Sequence, residues 1–169
     1  FKESFVDEAA HVGGQDPLAF RLALLQRHPR HAAVLRLAAD KAGWSQPLAP
    51  AADGAPRARG IALHQSFGST VAQVAEVSLD PADNKRIRVH RVVAAIDCGT
   101  AVNPNGVRQQ MESAVVFGLG AALYGEVTLD AGQVQQTNFH QLPLLRGADC
   151  PVIETHILPS TEPPEGVGE

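Results

Sequence analysis

The chain has 169 residues, of which 44% are apolar and 19% charged, and its formal net charge is −4. That length suffices for one domain with a buried core or for two small lobes, and the negative balance gives no electrostatic footprint for nucleic acid. No apolar run reaches the roughly 20 residues a membrane span needs, and the start, FKESFVDEAA, has neither the basic head nor the apolar run of a signal peptide. The two cysteines, Cys98 and Cys150, lack a C-x-x-C spacing, which gives no support to a zinc or dithiol site. A disulfide between them stays open, and so does the compartment.

Residues 2–12 have helical period, with Phe5, Ala9 and Val12 on one stripe, Glu3 and Asp7 on the polar side, and Gly13-Gly14 as the stop. Asp16 then caps a second helix over about 17–27, with Pro17 at its first position and Leu18, Leu22 and Leu25 on one face. A third, over about 30–42, carries Val34, Leu37 and Ala38 and stops at Gly43. Residues 1–44 are thus expected to be a helical segment. SQPLAPAADGAPRA, residues 45–58, has no apolar period and reads as a linker or exposed loop.

From residue 59 the pattern changes. GIALHQSF, TVAQVAEVSLD and RIRVHRVVAAID are β-rich runs separated by Gly68-Ser69 and by the turn PADNK, which predicts a three-stranded meander. NPNGVRQQMESAVVFGLGAALYGEV follows with helical period through Val107, Met111, Ala114, Val115, Gly118 and Ala122, and with Asn105 as a candidate cap. Its interior glycines, Gly118 and Gly120, each cost about 1 kcal/mol against alanine and call for a close backbone or ligand. EVTLDAGQVQQTNF predicts a hairpin across Ala131-Gly132, and PVIETHILP one further strand. The fold class expected is α+β: N-terminal helices, then a mixed or antiparallel sheet packed on one glycine-containing helix.

Several chemistries find no support. Of the seven histidines only His28 and His31 are close, and they flank Pro29 without a carboxylate at helical spacing, so no residue is assigned as a metal ligand. SFGS lacks the serine-hydrolase elbow. GLGAALYG lies late in a helix, where a dinucleotide-binding loop would lie between strand and helix. IDCGTAVNP, residues 96–104, is a strand end feeding a helix start: either a ligand-binding edge or a plain strand–helix turn. Gln109 or Gln110 could turn an amide inward, offering donor and acceptor together to a heterocycle. PPEGVGE, residues 163–169, has prolines that stiffen the backbone, glycines that permit close approach, and a carboxylate at Glu169.

DCGTAVNPNGVRQQMESAVVFGLGAALYGEVTLDAGQVQQTNFHQLPLLR followed by PPEGVGE resembles the molybdopterin-binding large subunit of the molybdenum hydroxylases, the xanthine dehydrogenase and aldehyde oxidoreductase superfamily. ESFVDEAAHVGGQDPLAFRLALL and HQSFGSTVAQVAEVSLD are most similar to isoquinoline 1-oxidoreductase β subunits and their relatives. The resemblance implies a fragment of the molybdopterin-binding domain, cut inside its catalytic loop. It implies Glu169 as the general base beside molybdenum, Gln110 beside the pterin, and Gly166 and Gly168 as the residues that let the loop approach. Gly118 and Gly120 join the cofactor-binding set. It further implies hydroxylation of an N-heterocycle or oxidation of an aldehyde with water as oxygen source, the cytosine dinucleotide form of molybdopterin, and iron–sulfur clusters in a partner small subunit. Many members have Gly where Ser113 stands. The remaining cofactor and substrate loops are absent, so the isolated stretch is expected to be inactive. A non-catalytic domain of the same fold and, more weakly, a hydrolase using Glu169 or Asp97 are the competing readings.

Overall fold

The computed structural model describes residues 2–83 and 86–168. Three helices come first: α1 (Lys2–Val12), α2 (Pro17–Leu24) and α3 (Pro29–Ala42). Strands β1 (Arg57–Ser66), β2 (Ser69–Leu79) and β3 (Ile87–Asp97) follow, then the long helix α4 (Pro104–Tyr124), a two-residue-per-arm hairpin of β4 (Leu129–Asp130) and β5 (Gln133–Val134), and β6 (Val152–Ile157).

The sheet order is β1-β2-β3-β6. The first two pairings are antiparallel, as a meander requires, and β6 joins β3 in parallel after the crossover through α4. The sheet is therefore mixed. Because successive side chains on a strand point to opposite faces, β3 feeds two cores. Val93 and Ala95 meet Val34, Leu35 and Ala38 of α3, together with Ile61, Ala72 and Val74. Ala94, Ile96 and Cys98 meet Val107 and Met111 of α4 on the other face. This double burial explains the change from alternation to a continuous apolar run in the sequence of β3. The sheet is covered by α3 as well as by the glycine-containing helix.

The α1 stripe is corrected by the structure. Phe5 and Val12 are 70% and 87% exposed, and Ala10 is the buried residue. The polar side turns inward because Arg21 of α2 is itself buried and needs anionic partners. Its Nε and Nη1 donate to Glu3 at 3.0 Å and to Asp7 at 2.6 Å. Glu3 Oε2 also accepts from the Leu63 backbone N–H of β1, tying α1 to the sheet. Helix α2 stops at Leu24, three residues earlier than its leucine pattern suggests, though Leu18, Leu22 and Leu25 do pack on the α3 core. Its Asp16 cap accepts from Ala19 N–H, and Gly43 ends α3 in the left-handed conformation. Strand β1 starts at Arg57, within the stretch read as linker.

Candidate functional site

Helix α4 begins where Asn103 accepts a hydrogen bond from Gly106 N–H at 3.1 Å, with Pro104 at the first helical position. The cap is Asn103 and not Asn105: proline at the first helical position leaves the residue before it as the cap. Val107, Met111 and Val115 form the buried stripe, while Ala114, Gly118 and Ala122, expected to share it, are exposed. Gln109 and Gln110 lie on the exposed side of the first turns.

The segment after β6 returns across the C-terminal end of β3 and is held there by its backbone. Thr100 N–H and Oγ1 both donate to Glu162 O at 2.8 Å, and Glu165 N–H donates to Cys98 O at 2.9 Å. Gly166 N–H donates to Phe67 O at 3.1 Å, and Gly166 O accepts from Ser69 Oγ at 2.6 Å. Val167 packs into the cluster of Ile96, Val107 and Met111. Gly168 then turns with φ +91° against Gln110, so that a Cβ there would overlap the Gln110 amide and lie 2.9 Å from its Cγ. Only glycine accepts both that dihedral and that approach. Thus Gly168 and Gln110 come together from two distant parts of the chain, while Gly166 is held at the β1–β2 turn.

The other assigned residues fall differently. Around Gly118 and Gly120 no atom lies within 4 Å of where a Cβ would stand, so no neighbour among the described residues accounts for them. Glu169 lies outside the described residues. For IDCGTAVNP the structure favours the plain turn, because Asp97 is engaged by Arg30, Cys98 O and Thr100 by Glu165 and Glu162, and Asn103 by Gly106 of the same chain.

Asp97 is buried and accepts side-on from the Nε–Nη2 edge of the Arg30 guanidinium, Nε to Oδ2 at 2.8 Å and Nη2 to Oδ1 at 3.0 Å. Oδ1 also accepts from Gly99 N–H at 3.0 Å. The Arg30 hydrogen bonds, opposed by burial and helped by Gly99, hold its carboxyl below the usual carboxylate range. A carboxylate so engaged is a structural anchor, which removes Asp97 as a hydrolytic acid or base. Arg30 Nη2 reaches Glu165 Oε2 as well, at 3.1 Å, and both partners raise the Arg30 pKa, Asp97 the more. Burial pushes the Cys98 thiol up, and the Asp97 and Glu165 charges add to it, so it is no thiolate nucleophile. Cys98 and Cys150 are both free.

Sequence reasoning missed Arg30, Ser69 and Glu165. Arg30 stands out only as one of three basic residues in its stretch, and it is 67 and 135 residues from the carboxylates it joins.

A sequence model of the molybdopterin cofactor-binding domain matches residues 36–151. The chain belongs to that family. It is 36% identical to the beta subunit of isoquinoline 1-oxidoreductase from Brevundimonas diminuta, over 99% of this chain and 21% of the relative. It is 33% identical to a subunit of nicotinate dehydrogenase from Pseudomonas putida KT2440, over 99% of this chain and 15% of that protein. A membrane-bound aldehyde dehydrogenase (pyrroloquinoline-quinone) of Gluconacetobacter polyoxogenes is 30% identical, over 99% of this chain and 23% of its own length. Among solved structures, quinoline 2-oxidoreductase from Pseudomonas putida 86 superposes with a TM-score of 0.52 at 27% identity, covering 59% of this chain and 13% of that one. The chain thus spans less than a quarter of the length of the curated relatives it matches. The α+β fold and the superfamily inferred from DCGTAVNP and the α4 sequence are both borne out.

The residues brought together fit a pterin. Gln110 is an exposed amide with donor and acceptor, Gly168 presents bare backbone beside it, and Gly118 and Gly120 leave the same helix open further along.

Proposed function

We propose that this chain is the part of a molybdenum hydroxylase large subunit that flanks the pterin and presents the general-base loop, in an enzyme that hydroxylates an N-heterocycle using water. The observation that carries this reading is the placement of Gly168 against Gln110, which joins the end of the PPEGVGE loop to the helix bearing the amide. The isoquinoline and nicotinate enzymes, at 36% and 33% identity, and the quinoline enzyme are named for N-heterocycles, and they support that substrate class. The aldehyde enzyme, at 30%, supports aldehyde oxidation as the second reading.

Gln110 would hold the pterin edge through its amide, and Gly166 and Gly168 would bring backbone alongside without side-chain obstruction. Gly118 and Gly120 would let the cofactor or a neighbouring backbone pass close to α4. When bound, the molybdenum cofactor supplies a two-electron acceptor at which water becomes nucleophilic. Glu169 would serve as the general base there, accepting a proton on a carboxylate oxygen. A carboxylate acts as a base near neutral pH where a water-poor environment disfavours its charged form. The cytosine dinucleotide form of the cofactor and an iron–sulfur small subunit that carries electrons away complete the proposal. The loops that select substrate come from the remainder of the large subunit.

The test is Glu169→Gln in the full-length, cofactor-loaded subunit. Molybdenum and pterin content should stay near wild type while turnover falls by about 10²–10⁴. Near-normal turnover would remove Glu169 from the mechanism. A full-length protein that binds no pterin in a host competent for cofactor insertion would favour the non-catalytic domain.

A further inference from the structure

Residues 162–166 are held to the sheet by backbone bonds and by the Thr100 and Ser69 hydroxyls, and the ion pairing of their side chains converges on one residue. Arg30, in the first turn of α3, uses a single guanidinium to bind Asp97 at the end of β3 and Glu165 in the loop, at 2.8 to 3.1 Å. The Asp97 side chain is 3% exposed and that of Glu165 25%, so the cluster is sheltered although Arg30 itself is 38% exposed. Glu165 is also confined from the other side. Gly68, in the β1–β2 turn with φ +85°, lies so close that a Cβ on it would be 2.9 Å from Glu165 Cδ. The Glu165 side chain thus occupies a slot between the α3 N-terminus and the β1–β2 turn.

We propose that Arg30 is a positioning residue for the catalytic loop: by binding Glu165 while it is itself fixed by Asp97, it sets where residues 166–168 lie relative to Gln110. The proposal rests on the reading of Glu169 as the base. Its logic is geometric. A guanidinium held through its Nε–Nη2 edge by one buried carboxylate is fixed in orientation, so the third bond, again from Nη2, transmits the position of β3 to the loop. Backbone bonds at Glu165 and Gly166 then carry that register to Gly168, two residues on. Position at the reacting centre matters steeply, since a misplacement of about 1 Å can lower the rate about a hundredfold.

Glu165→Ala in the full-length holoenzyme removes the third bond and leaves the Arg30–Asp97 pair whole, so folding is preserved. The molybdenum and pterin content should be unchanged, kcat should fall about ten- to a hundredfold, and KM should move by less than about threefold. Amide hydrogen exchange at Gly166, measured without turnover, should accelerate at least about tenfold. Glu165→Gln keeps an oxygen facing Arg30 and should restore most of both. Exchange at Gly166 unchanged in the alanine variant would overturn the latch. Faster exchange with kcat within about twofold of wild type would make it a stability feature and overturn the positioning role. Glutamine and alanine behaving alike would also overturn it, since volume and not the bond would then matter. Failure of the underlying reading would appear elsewhere, as full turnover by Glu169→Gln, and the exchange measurement does not depend on it.

Discussion

The two faces of the sheet are finished to different degrees. On the α3 face, Val34, Leu35 and Ala38 are wholly buried against β2 and β3, and α2 closes the edge with Leu18, Leu22 and Leu25. On the other face, α4 buries only Val107, Met111 and Val115 of its 21 residues, and Phe117 is 82% exposed. The stretch after it continues the pattern, with Phe139 88% and Leu144 76% exposed. Both faces come from one chain of ordinary composition. The difference lies in what each helix meets: α3 packs chiefly across β2 and β3 and also touches β1, whereas α4 packs chiefly on β6 and β3, with Val71 of β2 and Val167 of the returning loop at its cluster. The first half of α4 carries the Gln110–Gly168 junction on buried Val107 and Met111, whereas the second half is less covered, with Phe117, Gly118 and Ala122 exposed.

Core truncation gives the largest expected contrast. Leu35→Ala should lower the stability of the chain in urea unfolding by about 2–5 kcal/mol, from lost burial and the cavity left behind. Phe117→Ala should stay within about 0.5 kcal/mol. Similar losses for the two would show that the distal half of α4 is packed and would erase the distinction between faces.

A smaller effect sharpens it at the junction. Asp97→Asn should cost about 1–3 kcal/mol, less than a fully buried pair because water reaches Arg30. Its pH dependence has a definite sign. The folded-state pKa of Asp97 lies below the unfolded value of about 3.9, so the unfolded chain takes up the proton first. The contribution is complete above that value and is lost as pH falls through the lower, folded one. Glu154, held down chiefly by Arg91, acts in the same sense. The acid limb of unfolding should therefore be shallower in Asp97→Asn below about pH 4; an unchanged limb would mean that Arg30 does not hold that carboxyl.

Smallest is the effect of Gly118→Ala. With no described residue beyond its own stretch of helix within 4 Å of where a Cβ would stand, the substitution should stabilise the isolated chain by about 0.5–1 kcal/mol through helix propensity. The same substitution should lower cofactor occupancy in the loaded subunit if ligand passes there. Stabilisation in both settings would leave that glycine without a binding role.

Strands β1 to β3 are legible in the sequence because two-residue alternation and turn residues are local properties, and the Asp16 and Gly43 helix ends because caps satisfy local backbone groups. The α1 stripe misleads because its polarity is decided by Arg21, a neighbour no helical period reveals. The Asn103 cap follows from the position of Pro104, which Asn105 obscures. Of the candidate site, Gln110 and the PPEGVGE loop are legible as a resemblance, and Gly168 as a place where backbone must come close.

The sequence by itself determined the helices, the meander, the glycine-bearing helix and the family, since each rests on periodicity or on motifs contiguous in the chain. Only the tertiary structure decided that β6 runs parallel to β3, that Gly168 lies on Gln110, and that Arg30 joins Asp97 to Glu165. Those are contacts between residues tens to more than a hundred positions apart, formed when burying both faces of β3 brings distant backbone into reach, and no local pattern encodes them.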